Sequence, residues 1–170
     1  MMNETIKHII KGVILIAVQV LVFNQLVLHD IFTPFVYIVV IIMLPFSLSH
    51  LQTIFISFGV GLVLDLASGT GGVHTSACVF LGFLRPTILG FITPPGGYDE
   101  QESPNIARLG FFWFVSYASS MVLAHHLSLI FLDRFSLAHF WSTIARVIGS
   151  GFLTMAFVFV YAFLFASRKP

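Results

Sequence analysis

The apolar residues of this chain gather in long blocks separated by short polar breaks. A membrane-spanning helix needs roughly 20 mostly apolar residues at about 1.5 Å rise each. Six blocks approach that length. The first runs from Ile9 to Leu28 and stops before His29-Asp30. Lys7 and Lys11 precede it, as in a signal peptide, but no small-x-small cleavage site follows and the block is long for a signal core. It is expected to stay as a helix. The second block runs from Thr33 to Leu48, with Thr33 as a cap, Pro34 suited to the first helical position and Pro45 placed to kink its end.

The third block runs from Leu51 to Leu66, and the fourth from Val73 to Ile92, with a bend expected at Arg85-Pro86. The fifth, Asn105 to Leu132, is announced by Ser103-Pro104. The sixth lies between Phe140 and Ala166, and Ser136 to Trp141 is expected to form an interfacial turn, the depth Trp favours. The second and third are short.

Six crossings put both termini on one side, and the charges agree. With the N-terminus inside, Lys7, Lys11, Arg85, Arg108, Arg168 and Lys169 fall toward the cytoplasm, and only Arg134 and Arg146 fall outside. That asymmetry has the direction the positive-inside rule requires. The expected fold is an all-α membrane protein, a bundle of six transmembrane helices with both ends inside. Residues 1–170 are expected to make one membrane domain, with no room within them for a second, soluble one.

Composition narrows the class. Hydrophobic residues make up 58% of 170 and charged residues 9%, against roughly 25% charged in soluble domains. Mean hydropathy is +0.99. So few charges cannot cover a soluble surface, and a nucleic-acid binder needs a basic face this chain lacks. The setting is a multi-pass place among membrane lipids. Cys78 is the single cysteine, so one chain holds no disulfide or cysteine-built metal site, and a packing role is expected. No cofactor motif is present, and the 20 Phe are spread over all blocks as packing and lipid-facing residues.

The one hydrophilic loop, Thr93 to Pro104, holds Pro94-Pro95-Gly96-Gly97, Asp99, Glu100 and Glu102. It is expected to be a solvated connector, with docking of a cytoplasmic partner as the sharper option. Small residues recur every four positions in the third block (Ser57, Gly61, Asp65, Gly69) and the fifth (Ser116, Ser120, Ala124, Ser128). Such stripes let helix backbones approach in lipid. They predict blocks three and five at the centre of the bundle, or equally a contact with another protein's helix.

Ionisable groups inside a bilayer cost several kcal/mol unless paired, so each is a candidate. Asp65 is followed by Ser68, Gly69, Thr70, Gly71, Gly72 and His74, a glycine-rich turn. Depth places Asn24, Gln25, Asp65, His74, His125 and Arg146 in the outer half, with an Asp65–Arg146 pair expected and His74 or His125 beside it. His126 points about 100° from His125, so the two do not form a one-face metal pair. Arg85 is the exception in the inner half. It either snorkels to the headgroups, or caps carbonyls freed by the Pro86 kink or pairs with a partner protein. No GxSxG, HExxH or phosphate loop appears, so an enzyme is not expected.

These residues resemble a known family. Gly61-Leu62-Val63-Leu64-Asp65-Leu66-Ala67-Ser68-Gly69-Thr70, then Gly72 and His74, is similar to the signature of the rod shape-determining protein MreD family. Asn24-Gln25, Thr33-Pro34-Phe35, Leu44-Pro45 and Phe83-Leu84-Arg85-Pro86 fit the same pattern. The likeness covers blocks one to four, while blocks five and six are too generic to add to it. It marks Gly61, Asp65, Ser68, Gly69, Gly72, His74, Arg85 and Pro86 as motif residues. It implies a non-catalytic subunit of the bacterial inner membrane in the cell-elongation machinery. The partners implied are MreC, with MreB, RodA and a class B penicillin-binding transpeptidase. The implied fold is similar to the S components of energy-coupling-factor transporters, which leaves a second option open, a solute-binding transport subunit.

The two options differ in what they expect of the outer cluster. A scaffold needs its polar groups mutually satisfied and an exposed groove for a partner helix. A transport subunit needs a roomy pocket with unsatisfied polar groups around Asp65, His74 and His125.

Overall fold

The computed structural model describes residues 2–25, 32–134 and 140–166, with the backbone alone for 2–5 and 134. Among these, the regular elements are all helices. Helix α1 (Met2–Val18) widens into a π-helical turn over Gln19–Phe23. A short α2 (Ile38–Ile42) follows, then α3 (His50–Ser68) and α4 (Val73–Phe91) as an antiparallel hairpin. After them come α5 (Ile106–Leu109), α6 (Phe111–Arg134) and α7 (Phe140–Leu164). The expected end of the first block at Leu28, most of the turn from Ser136, and Arg168-Lys169 lie outside the described residues.

Among the described residues, five helices are long and apolar enough to cross a membrane: Ile6–Phe23, His50–Ser68, Val73–Phe91, Phe111–Asp133 and Phe140–Leu164. The expected second spanning helix, 33–48, is not among them. Only Ile38–Ile42 is helical there. Pro45 lacks an N–H and disfavours helix in the residue before it, so α2 stops at Ile42. The segment is apolar for another reason than lipid contact. It threads the middle of the bundle, and Tyr37, Ile38, Val39, Ile41 and Ile42 are all buried. Thr33 donates its N–H to Ser150 Oγ at 3.1 Å, and Phe46 donates to the Glu102 carbonyl at 2.8 Å. The segment therefore runs from one end of the bundle to the other without forming a full helix.

The α3–α4 hairpin follows from local chemistry. Ser49 and Gln52 form a reciprocal capping box at the start of α3. Gly69 ends it with φ 68°, a left-handed conformation that glycine adopts at no steric cost. Between the helices the backbones touch: a Cβ added at Gly61 would sit 2.4 Å from Thr75 Cα. The α3 stripe is thus used inside the hairpin. The α6 stripe is not. Ser116 and Ser120 are exposed, and α6 turns Phe114, Tyr117, Ala118, Met121 and His125 inward instead. The expectation that both stripes lie at the bundle centre holds for α3 alone.

Helix α4 runs continuously through Pro86. The fifth block is divided, because Gly110 at φ 89° separates α5 from α6. The hydrophilic loop is no loose connector. Tyr98 stacks on Phe46 with ring centres 4.5 Å apart and donates its hydroxyl to the Leu89 carbonyl at 2.9 Å. Partial burial raises the Tyr98 phenol above its ordinary value of 10.0. Glu102 also meets Arg108 in an ion pair. The loop is a strap folded against one end of the bundle, with Asp99 and Glu100 exposed.

Candidate functional site

Asp65 sits in the last turn of α3, where four donors close on its carboxylate. Oδ1 accepts from Thr70 Oγ1 at 2.5 Å and from the His74 backbone N–H at 3.0 Å. Oδ2 accepts from the Thr75 N–H at 2.8 Å and from Thr75 Oγ1 at 2.5 Å. Gly69 and Gly72, at φ 68° and 101°, bring the first turn of α4 back within reach. An anion at a helix N-terminus is favoured by the free N–H groups there.

The expected Asp65–Arg146 pair does not form. A carboxylate offers about four acceptor sites, and donors from the turn and α4 occupy them. The Arg146 guanidinium stands 3.9 Å from Asp133 instead.

The other expected residues meet through partners the sequence reading missed. The Tyr37 hydroxyl lies 2.9 Å from His74 Nδ1 and 2.7 Å from His125 Nε2. A phenol carries one proton, so it donates to one ring and accepts from the other. His74 therefore joins Asp65 through its backbone and His125 through its ring. His126, expected to point elsewhere, places Nδ1 2.8 Å from the Val122 carbonyl. A carbonyl can only accept, so that nitrogen carries the hydrogen. Its Nε2 faces Thr154 Oγ1 at 3.0 Å, and the same hydroxyl accepts the Phe35 N–H at 2.9 Å.

Gln19 is a further residue the sequence reading passed over. Its Nε2 donates to Asn24 Oδ1 at 2.9 Å and to the Pro34 carbonyl at 3.2 Å, and its Oε1 accepts the Val36 N–H at 2.7 Å. The π-turn begins at this residue, and such widened turns recur at functional positions. Asn24 passes the chain on to Ser68 Oγ at 2.9 Å. Gln25 stays exposed at the rim. The available signal was an amide in the middle of an apolar block.

At the other end of the bundle, Arg85 is 2% exposed. It does not snorkel. Its Nε donates to Tyr117 Oη at 2.9 Å, and its guanidinium also caps the Leu44 carbonyl. Tyr117 in turn donates to the Ile42 carbonyl at 3.0 Å. The carbonyls capped are those at the end of α2, not those released by Pro86.

Polar residues at both ends share one object. Ser150, Gln19 and Thr154 satisfy backbone groups at the start of the broken segment, and Tyr117 and Arg85 those at its end, while Asp65 closes the α3–α4 turn. In a bilayer each unmade backbone bond costs several kcal/mol, and irregular backbone survives only when protein buries and pairs it. A cavity of about 100 Å³ lies beside Thr70, His74 and Arg146. At ~30 Å³ each that is space for about three waters. Among the described residues no group of three His, Cys, Asp or Glu is placed to hold a metal.

Apolar helices of membrane length around a polar-pinned, irregular centre define a multi-pass, all-helical membrane protein. No family model, no curated protein and no solved structure matches the chain.

Proposed function

We propose that this protein is a non-catalytic scaffold subunit of the MreD type in the bacterial inner membrane. It binds MreC and helps organise peptidoglycan synthesis during cell elongation. The observation that carries this reading is the closure of Asp65 within the α3–α4 turn, although in the ring cluster beside it His125 Nδ1 is buried without a hydrogen-bond partner. Asp65 is closed by four donors and His74, Tyr37 and His125 bond one another. The motif residues Gly61, Asp65, Gly69, Gly72 and His74 all serve the α3–α4 hairpin, and Arg85 serves the broken segment. That is the pattern of residues kept for shape.

Six crossings with both ends in the cytoplasm suit the same reading. The broken segment supplies the extra crossing. Lys11 of α1 lies 4.2 Å over the Phe165 ring just beyond α7, so the first and last helices meet at one end. The outward α6 face with Ser116 and Ser120 is the surface offered to the single helix of MreC. Small residues there permit close backbone approach.

The test is purification of the tagged chain from its own bacterium in mild detergent, with MreC and RodA followed by antibody. Retention of MreC, its loss in the Ser116→Leu/Ser120→Leu double variant, and rounding of rods on depletion are the expected results. Rods unchanged on depletion, together with MreC absent from the purified material, sink the proposal. A tightly held vitamin-like solute in that material favours the transport subunit instead.

A further inference from the structure

Tyr37 caps the start of α2, in the broken segment, and its hydroxyl ties that segment to two helices at once. His74 of α4 reaches it through Nδ1 at 2.9 Å, and His125 of α6 through Nε2 at 2.7 Å. The far nitrogen of His125 decides which way these bonds run. His125 Nδ1 is buried and has no hydrogen-bond partner. A hydrogen there would be an orphaned buried N–H, a fault folded proteins rarely carry, whereas a bare nitrogen leaves only a lone pair unmet. The His125 hydrogen is therefore on Nε2 and is donated to Tyr37. The phenol proton is in turn donated to His74 Nδ1, and the His74 hydrogen is on Nε2. Donation runs one way, from α6 through the segment to α4.

An added proton has to break that order, and the surrounding charges choose the ring that takes it. Asp65 at the end of α3 accepts the His74 backbone N–H at 3.0 Å, and Asp133 of α6 also acts on His74. Arg146 of α7 opposes them across the cavity that His74 and Asp133 line. His125 faces the rings of His74 and His126, each a cation once protonated. It is also 0% exposed, against 8% for His74. The proton thus goes to His74, on Nδ1, where the phenol donates. The phenol proton must turn away. His125 Nε2 already carries a hydrogen, which leaves the Cys78 thiol, a weak acceptor, as the other group at the hydroxyl. His74 then holds its charge against the edge-on rings of Phe35 and Tyr37, in apolar surroundings that disfavour it.

We propose that Tyr37, His74 and His125 form a proton-sensitive lock. Neutral rings hold the broken segment in place, and one proton on His74 loosens it. The lock needs no partner protein, so it stands or falls apart from the scaffold reading.

The experiment uses the full chain in nanodiscs with isotope-labelled histidine nitrogens, followed by NMR and amide hydrogen exchange. At about pH 8, His74 and His125 are each expected to carry hydrogen on Nε2 alone. On acidification to about pH 5, through the histidine range, His74 gains a hydrogen on Nδ1 while His125 stays neutral. Exchange over Ile38–Ile42, taken relative to α7, is expected to quicken about tenfold over the same step, the worth of one lost hydrogen bond. His74→Asn keeps an acceptor near the Nδ1 position but does not titrate, and its exchange is expected to show no such step. The wild-type readings decide alone if that variant does not fold. Hydrogen on His125 Nδ1 at the higher pH, His125 protonated before His74, wild-type exchange without a step, or the same step in His74→Asn each overturns the proposal.

Discussion

The small-residue stripes of α3 and α6 are written alike, with four-residue spacing and mostly serine or glycine at the repeats, yet one faces into the bundle and the other out of it. In α3, Gly61 lies so close to α4 that a single added carbon would meet the Thr75 backbone. In α6, Ser116 and Ser120 face outward, each closing its hydroxyl on its own helix, 2.9 Å from Phe112 O and 2.8 Å from Ser116 O. The difference teaches that spacing announces close approach without naming the neighbour. In α3 the neighbour is the next helix in the chain. In α6 the inward face is already taken by Tyr117, Met121 and His125, and the stripe is left for something else.

The comparison breaks first at Gly61. Gly61→Leu forces the α3 and α4 backbones apart and is expected to cost at least about 3 kcal/mol, the upper range for overpacking. A thermal melt in mild detergent reads it, and wild-type melting would mean that the hairpin contact is not where the stripe is spent. Asp65→Asn comes next. Two of the four donors lose an acceptor, for about 3 kcal/mol on the scale of charge-assisted bonds. In Arg146→Gln, the long contact with half-exposed Asp133 is lost, a contribution expected to be under about 1 kcal/mol. Equal melting of these two variants would restore the discarded Asp65–Arg146 pair.

On the α6 side, Ser116→Leu and Ser120→Leu are expected to change stability by no more than about 0.5 kcal/mol, as surface changes do. A large loss of melting temperature there would place this face inside the bundle after all. The smallest effect concerns the strap. The phenol of Tyr98 is raised by burial, so the docked form holds its proton more tightly than the undocked one. Docking is therefore unaffected below the ordinary phenol value and weakens as pH rises past it. Limited proteolysis between Pro94 and Glu102 should accelerate only in that alkaline range, and Tyr98→Phe should remove the step.

Much of the fold was legible because lipid selects for it. Three of the five long helices, α3, α4 and α7, match their apolar blocks closely, and the glycine turn after Asp65 was readable from its φ-demanding residues. The second block was misread for a definite reason. A segment buried by protein on every side is as apolar as one bathed in lipid, and composition does not separate them. The cluster was half legible. Asp65, His74 and Asn24 stood out as polar residues in apolar surroundings. Gln19, Tyr37 and Thr154 stood out no less by chemistry, but the partners that tie them to other parts of the bundle lie 15 to 119 positions away along the chain.

Sequence alone determined the solvent of this protein, the number and length of its apolar blocks, and the places where the backbone had to turn. These follow from hydrophobic run length and from glycine and proline conformation, which act locally. Tertiary structure decided that the second block is a broken strand of backbone at the centre, that Arg85 caps it, and that one stripe faces in and the other out. Those outcomes depend on which donor finds which acceptor across the bundle, a pairing that no local run of residues encodes.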